Sequence, residues 1–191
     1  MTVEDEADLV GLRRAGSAVA AARDAMLAAI QPGISTIELD RIGARVLGDH
    51  GARSAPQLAY GFPGTTCISV NDCIAHGIPS SDVVLADGDL VNVDVSAELD
   101  GYWADTGASA TVGTADPLAT RLLDATRAAQ RDAMAAARSG RPLRAIGQAV
   151  ERRAAARGFA IVANLCGHGV GRGIHEPPTV PNVDDRRQRL E

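Results

Sequence analysis

Two aspartates, Asp94 and Asp105, lie eleven positions apart in the stretch NVDVSAELDGYWADTG. Between them is an Asp100-Gly101 pair, a dipeptide that favours the two-residue turn of a β-hairpin. With that turn, Asp105 lies opposite Ser96, and the two aspartates are diagonal neighbours on one face because side chains alternate along a strand. A turn at Leu99-Asp100 would instead place them directly opposite each other.

Two neighbouring carboxylates repel one another unless a cation or a shared proton lies between them. One interpretation is that one or both are turn or edge-strand residues that face water. The other is a site for one or two hard divalent cations, with one carboxylate able to bridge. Asp94 lies within the apolar alternation LVNVDV, where an unpaired charge is costly, and this favours the metal site.

The histidines are the next candidates for chemistry, and the chain has four: His50, His76, His168 and His175. His50 ends a predicted helix, where a cation is stabilising, so we assign it no chemistry. His168 and His175 flank a glycine-rich run, which lets the backbone and side chains approach a ligand closely. His76 lies in NDCIAHGIP, just before a predicted turn.

The composition indicates a globular protein of one domain, with 191 residues, a formal net charge of −5, 46% hydrophobic residues and 23% charged residues. All the basic residues are arginines and they are scattered, which excludes a lysine Schiff base and predicts no nucleic-acid partner. No apolar stretch approaches the roughly 18 residues that span a bilayer, so we expect a cytoplasmic protein without a membrane partner. The three cysteines lack a CxxC spacing and are expected to be free thiols.

The elements that must position these residues follow from periodicity and capping signals. They predict two helices, then strands with a hairpin, then two more helices and a further strand, which resembles one unit and the start of a second. The predicted helices span residues 3–30, 35–50, 117–138 and 142–157. The predicted strands span residues 67–70, 90–98, 102–112 and 159–163.

Three segments together resemble the methionine aminopeptidases of the shorter, type I form: CISVNDCIAHGIP, GDLVNVDVSAELDGYWADTGAS and CGHGVGRGIHEPPTVPN. The resemblance runs from the N-terminal helix through Asn182, in order and with compatible spacing. It implies an α/β (α+β) pita-bread fold, in which an antiparallel sheet carries two helix pairs on its outer face. It also implies that residues 1–191 form a single catalytic domain.

The resemblance implies a centre of two divalent metal ions, which could be Mn, Fe, Co or Zn. Asp94 would bind one metal, Asp105 would bridge both, and His168 would bind the other. Members of the family use two further glutamates as ligands, on strands that follow the segment HGVGRGIH. We therefore expect this chain to be C-terminally incomplete, with its second half truncated and three ligands of an expected five.

The resemblance also implies the substrate contacts. His76 and His175 would be catalytic, contacting the substrate's peptide group and stabilising the tetrahedral intermediate. Phe62 and Cys67 would line the pocket for the methionine side chain. The expected activity is removal of the initiator methionine from nascent polypeptides with a small second residue. Whether the chain associates with the ribosome stays open.

Two alternatives stay open from the sequence. One is a non-catalytic pita-bread homologue, or an inactive fragment, that binds peptide or protein through the same cleft. The retained carboxylates and histidines argue against it. The other is a proline-specific aminopeptidase or prolidase of the same fold. Those enzymes usually carry an additional N-terminal domain, whereas here the motif-bearing segment follows a single pair of helices.

Overall fold

The computed structural model describes residues 3–185. It begins with two helices, α1 (Glu6–Ala29) and α2 (Thr36–Asp49). The predicted capping box at the start of α2 is confirmed. The Ser35 hydroxyl accepts from the backbone N–H of Glu38, and the Glu38 carboxylate accepts from the backbone N–H of Ser35 at 2.9 Å. Both predicted helices are confirmed, and each is one to three residues shorter at its ends.

A four-stranded antiparallel sheet follows, made of β1 (Arg53–Ser54), β2 (Cys67–Val70), β3 (Leu90–Leu99) and β4 (Tyr102–Thr111). β4 pairs with β3 along its whole length, while β1 and β2 pair with opposite ends of β3. β1 and β2 therefore lie end to end along the other edge of β3. A short helix, α3 (Ala55–Tyr60), joins them, and the sequence did not predict it.

The hairpin between β3 and β4 has the predicted turn. Leu99 pairs with Tyr102, so the loop consists of Asp100 and Gly101 alone. Both loop residues have positive φ angles, 53° and 83°, as a type I′ turn requires. The alternative turn at Leu99-Asp100 is wrong.

The core lies between one face of this sheet and helices α1 and α2. Alternate residues of β3 are completely buried, because successive side chains point to opposite faces. Alanines on α1 allow a close approach of the helix to the sheet, and Gly11 is in contact with the ring of Tyr102. The buried residues of this core include Ala15, Ala18, Ala22, Met26, Leu39, Leu47, Val91, Val93, Val95 and Ala97.

The chain divides into two compact units. The first contains the sheet, α1, α2 and α3, together with the distant segment Val170–Glu176. The second contains Pro117–Gly169 and the described residues from Pro177 to Asp185. Among the described residues, no helix combines the length and the apolar content needed to cross a bilayer.

The second unit contains α4 (Pro117–Ala136) and α5 (Arg144–Ala156), followed by strand β5 (Cys166–Gly169). β5 pairs with β6 (Glu176–Pro181), which begins at the last residue of the first unit. The two helices pack on each other through small residues, and Arg153 forms an ion pair with Asp132 at 2.7 Å. Both helices were predicted, and α4 begins at a proline as expected.

One predicted strand is wrong. Phe159–Ala163 lies outside the strands of the second unit, and strand β5 starts at Cys166, three residues after the end of the predicted strand. A β-branched run becomes a strand only where a partner completes the hydrogen-bond ladder. Within residues 3–185, no strand pairs with residues 159–163. Instead, the Phe159 ring lies 5.9 Å from the Arg121 guanidinium.

Candidate functional site

The side of the first unit's sheet opposite the core carries polar side chains, and we call it the polar face. Its composition follows from the alternation that buries the valines of β3 on the other side. The register aligns these residues across three strands. The polar face consists of Cys67, Ser69, Asn92, Asp94, Ser96, Glu98, Trp103, Asp105, Gly107 and Ser109.

Asp94 and Asp105 are diagonal neighbours on the polar face. Asp94 pairs with Gly107, and Asp105 pairs with Ser96, as the Asp100-Gly101 turn predicts. Burial and the charge of Asp105 raise the pKa of Asp94 to about 7, and a hydrogen bond between the two carboxyl groups contributes in the same direction. With a pKa of about 7, the Asp94 carboxyl is protonated in about half of the molecules at neutral pH, so the ionised pair is disfavoured there.

Cys67 lies directly opposite Asp94 in the ladder between β2 and β3, and its side chain is buried. Burial, the charge of Asp94 and then the charge of Asp105 raise the pKa of its thiol to about 12. The thiol therefore stays protonated at neutral pH and is no nucleophile. It presents a soft, apolar sulfur beside the carboxylates, which suits its predicted place in a pocket for a thioether.

His76 ends a loop that returns to the polar face. Its φ angle is 55°, and the side chain is exposed. The next residue, Gly77, donates its N–H to the Ser69 hydroxyl at 3.2 Å, and its carbonyl accepts from the N–H of Ile68 at 2.9 Å. A Cβ atom on Gly77 would lie 2.0 Å from the Ile68 carbonyl oxygen. These contacts hold the His76–Gly77 peptide against β2, on the side that carries Cys67.

His175 is brought to the first unit by the segment Val170–Glu176. Its Nδ1 lies 2.5 Å from the hydroxyl oxygen of Tyr60, the last residue of α3. Phe62 follows two residues after Tyr60 and is half-buried. Tyr60 was missed by the sequence analysis. The available signal was the Ser54-Ala55-Pro56 helix start, which has a capping serine followed by a proline near the first turn.

A cluster of side chains around Arg172 holds the segment Val170–Glu176 against the first unit's sheet and helix α1. The Arg172 guanidinium lies 3.8 Å from the centroid of the Tyr102 ring and donates to Asp8 Oδ1 at 2.8 Å. The backbone N–H of Glu4, the Tyr102 hydroxyl and the guanidinium all donate to Asp8, and they hold the pKa of that carboxyl below its ordinary value. We call Asp8, Tyr102 and Arg172 the arginine clasp. The sequence analysis did not predict it.

His168 lies on β5 of the second unit and is half-buried. Its Nδ1 is 2.9 Å from the carbonyl oxygen of Gly169, which can only accept a hydrogen bond. Nδ1 therefore carries the proton, and the lone pair of a neutral His168 ring is on Nε2, the nitrogen that would coordinate a metal. This tautomer is compatible with the predicted role.

The chemistry of the carboxylate pair fits a divalent cation. A cation between Asp94 and Asp105 would replace the proton that burial and repulsion otherwise hold there. Within residues 3–185, no three His, Cys, Asp or Glu side chains are arranged as a group that could hold a metal ion. The part of a centre that this structure brings together is thus the aspartate pair. The roles predicted for His168, His76, His175, Phe62 and Cys67 stay predictions.

Comparison with known proteins supports the family resemblance found in the sequence. The model of metallopeptidase family M24 matches residues 10–191. Methionine aminopeptidase 2 of Bacillus subtilis is 45% identical over 178 residues, which are 93% of this chain and 72% of the relative. The crystal structure of methionine aminopeptidase from Rickettsia prowazekii has a TM-score of 0.93 at 32% identity, over all of this chain and 76% of that one. The pita-bread fold implied by the sequence is confirmed.

Similarity extends to proline-specific enzymes at the level of the fold. The prolidase from Pyrococcus furiosus has a TM-score of 0.82 at 21% identity, and this chain covers 54% of it. That match shows a shared fold alone, so the proline-specific alternative gains no support from it. The motifs, the fold and the identities converge on one assignment: this chain belongs to metallopeptidase family M24 and, within it, to the methionine aminopeptidases.

Proposed function

We propose that this chain is a metal-dependent methionyl aminopeptidase that removes the initiator methionine from nascent polypeptides with a small second residue. The observation that carries the proposal is the hydrogen-bonded carboxyl pair of Asp94 and Asp105, of which Asp94 is half-buried, in a chain 45% identical to a methionine aminopeptidase. A non-catalytic binding homologue has no physical reason to keep two repelling carboxylates together. We further propose that both units belong to one catalytic domain and that the protein acts in the cytoplasm.

Asp94, Asp105 and His168 would hold the metal, with Asp105 bridging where two ions are present. A bound divalent cation supplies an activated water molecule and polarises the scissile carbonyl. Mn²⁺, Fe²⁺, Co²⁺ and Zn²⁺ all suit carboxylate and imidazole ligands, and availability selects among them as much as the ligands do. An association with the ribosome would bring the enzyme to its substrates.

The remaining predicted residues would bind and orient the peptide. Cys67, with its protonated thiol, and Phe62 would contact the thioether of the substrate methionine. His76 and His175 would contact the peptide group, and an imidazole N–H aimed at the developing oxyanion would stabilise it. The Gly77 contacts to β2 support this role for His76, because they fix the backbone from which that imidazole extends.

The test is release of free methionine from Met-Ala-Ser by the purified chain, with added Mn²⁺ or Co²⁺. We expect metal-dependent release that Asp105→Asn abolishes. Leu118→Ala, at an exposed position of α4, is the matched control and should keep the wild-type rate. If folded wild-type chain releases no methionine at any metal concentration, the proposed activity is wrong for these 191 residues.

A further inference from the structure

Tyr60 and His175 form a pair that joins two distant parts of the first unit. The hydroxyl oxygen of Tyr60 lies 2.5 Å from Nδ1 of His175, and the two rings are tilted by 55° with centroids 5.7 Å apart. The residues are 115 positions apart in the sequence. Tyr60 is 63% exposed, so burial of its ring does little to explain its position.

The backbone on the Tyr60 side is fixed by a short helix that is anchored at both ends. Ser54 begins α3, where its hydroxyl accepts from the N–H of Gln57 and donates to the Thr65 carbonyl at 2.7 Å. At the other end, Gly61 adopts the left-handed conformation, with a φ angle of 63°, and its N–H bonds back to the helix. The phenol therefore extends from a defined point.

The His175 side is fixed by its own segment. Ile174, the residue before it, is buried, and the carbonyl of Gly171 accepts from the N–H of Trp103 on β4 at 2.8 Å. Arg172 belongs to the arginine clasp. With both backbones held, the remaining freedom of the His175 imidazole is rotation of its side chain, and the Tyr60 contact limits that rotation.

The chemistry of the two groups decides the direction of the hydrogen bond. A phenol is a better donor than a neutral imidazole, and an unprotonated imidazole nitrogen is a much better acceptor than a phenolic oxygen. Tyr60 therefore donates to Nδ1 of His175. A neutral imidazole whose Nδ1 accepts must carry its proton on Nε2.

We propose that Tyr60 is a positioning residue that holds the imidazole of His175 in the tautomer with its proton on Nε2. The role of this tautomer rests on the proposed function. In that function, the Nε2–H group of His175 would donate to the oxygen of the scissile peptide as negative charge develops there. The opposite tautomer would present a lone pair to that oxygen and repel it. Tyr60 thus acts through His175 and contacts no reacting atom.

The first experiment measures the tautomer directly and needs no activity. Long-range ¹H–¹⁵N spectra distinguish protonated from unprotonated imidazole nitrogens, and the chain has only four histidines to assign. His175→Gln identifies the His175 signals in the 191-residue chain. We expect Nε2 protonated in the wild type and a mixture of tautomers in Tyr60→Phe. A wild-type His175 protonated on Nδ1, or a tautomer unchanged in Tyr60→Phe, would overturn the proposal.

The second experiment measures turnover of Met-Ala-Ser. Tyr60→Phe keeps the ring and removes the hydroxyl, and we expect kcat to fall about tenfold with KM within about twofold, as for other partners that orient a functional imidazole. Leu58→Ala, at an exposed position of the same helix, should leave both constants unchanged. Unchanged kcat in Tyr60→Phe would contradict the positioning role. An inactive wild type would refute the proposed function, while the spectra would still decide the tautomer.

Discussion

Cys67 lies directly opposite Asp94 in the ladder between β2 and β3, so a buried thiol and a half-buried carboxyl group lie side by side on the polar face. The charge of Asp94 adds to burial in raising the pKa of the Cys67 thiol, because a thiolate in this position would be repelled by the carboxylate. The consequence is a thiol that stays neutral beside a carboxylate pair whose charge a metal can neutralise.

We expect Cys67 to resist alkylation. With a pKa of about 12, about one thiol in ten thousand is ionised at pH 8, whereas Cys73 and Cys166 are exposed. Iodoacetamide at pH 8, followed by peptide mass spectrometry, should label Cys73 and Cys166 and leave Cys67 unmodified in the folded chain. Labelling in denaturant provides the control, since all three should then react. Rapid modification of Cys67 in the folded chain would contradict the environment described here.

Asp105→Asn should stabilise the metal-free chain above pH 7 while weakening metal binding. The pKa of Asp94 is about 7 in the folded chain and near 4 when unfolded, so the folded chain holds the additional proton between these values. Stability therefore falls as pH rises from about 4 to 7 and then levels off. Removing the Asp105 charge lowers the pKa of Asp94, and the gain above pH 7 should be on the order of 1 kcal/mol.

Thermal unfolding of the metal-free protein from pH 5 to pH 9 measures this effect, and calorimetric titration with Mn²⁺ measures the binding. The wild type should lose stability across that window more steeply than Asp105→Asn. Glu6→Gln, which removes an exposed carboxylate of α1, should follow the wild-type curve. Parallel curves for the wild type and Asp105→Asn would show that the two carboxylates do not interact.

Arg172→Lys should impair turnover although the charge is kept. The ammonium group of lysine is not planar and cannot stack on the Tyr102 ring while donating to Asp8, so the arginine clasp would open and the His175 segment would lose its anchor. We expect kcat/KM for Met-Ala-Ser to fall about tenfold, as for the loss of other groups that orient a site. Arg14→Lys is the matched control, since Arg14 forms an exposed ion pair with Asp100 that contributes little. Equal rates for both variants would contradict the role of the clasp.

Gly77→Ala should disturb His76. The added Cβ atom would lie 2.0 Å from the Ile68 carbonyl oxygen, so the His76–Gly77 peptide must move away from β2. We expect a loss of about 1–3 kcal/mol in the free energy of unfolding, typical of overpacking, together with reduced turnover. Gly16→Ala in α1, where no atom lies within 4 Å of the new Cβ, should be neutral or stabilising. Chemical denaturation of both variants separates these outcomes.

The hairpin shows how much local sequence can predict. The Asp100-Gly101 turn fixes the register, and the register makes Asp94 and Asp105 diagonal neighbours, so the centre of the site follows from one dipeptide and a period of two. Capping signals likewise locate α2 and α4. These features depend on residues that are close in sequence.

The failures depend on contacts between residues far apart. Tyr60 was missed because its partner is the distant His175. Arg172 was missed because it contacts Asp8 and Tyr102, and no local sequence pattern predicts these partners. The error at Phe159–Ala163 has the same origin, because a strand needs a partner that propensity cannot supply. Helix α3 is a different case, since its capping serine and proline were present but the helix is short enough to resemble a loop.

The segment Val170–Glu176 joins the first unit only after the chain has passed through the roughly 50 residues of Pro117–Gly169. During synthesis, the sheet and its helices can form before this segment exists, but the Tyr60–His175 pair cannot. Bringing the two residues together closes a long loop, and the entropy lost in closing it opposes the contact. Contacts between residues far apart in sequence therefore form slowly. The contact between Tyr60 and His175 should therefore form as a late step of folding, after most of the hydrophobic core is already in place.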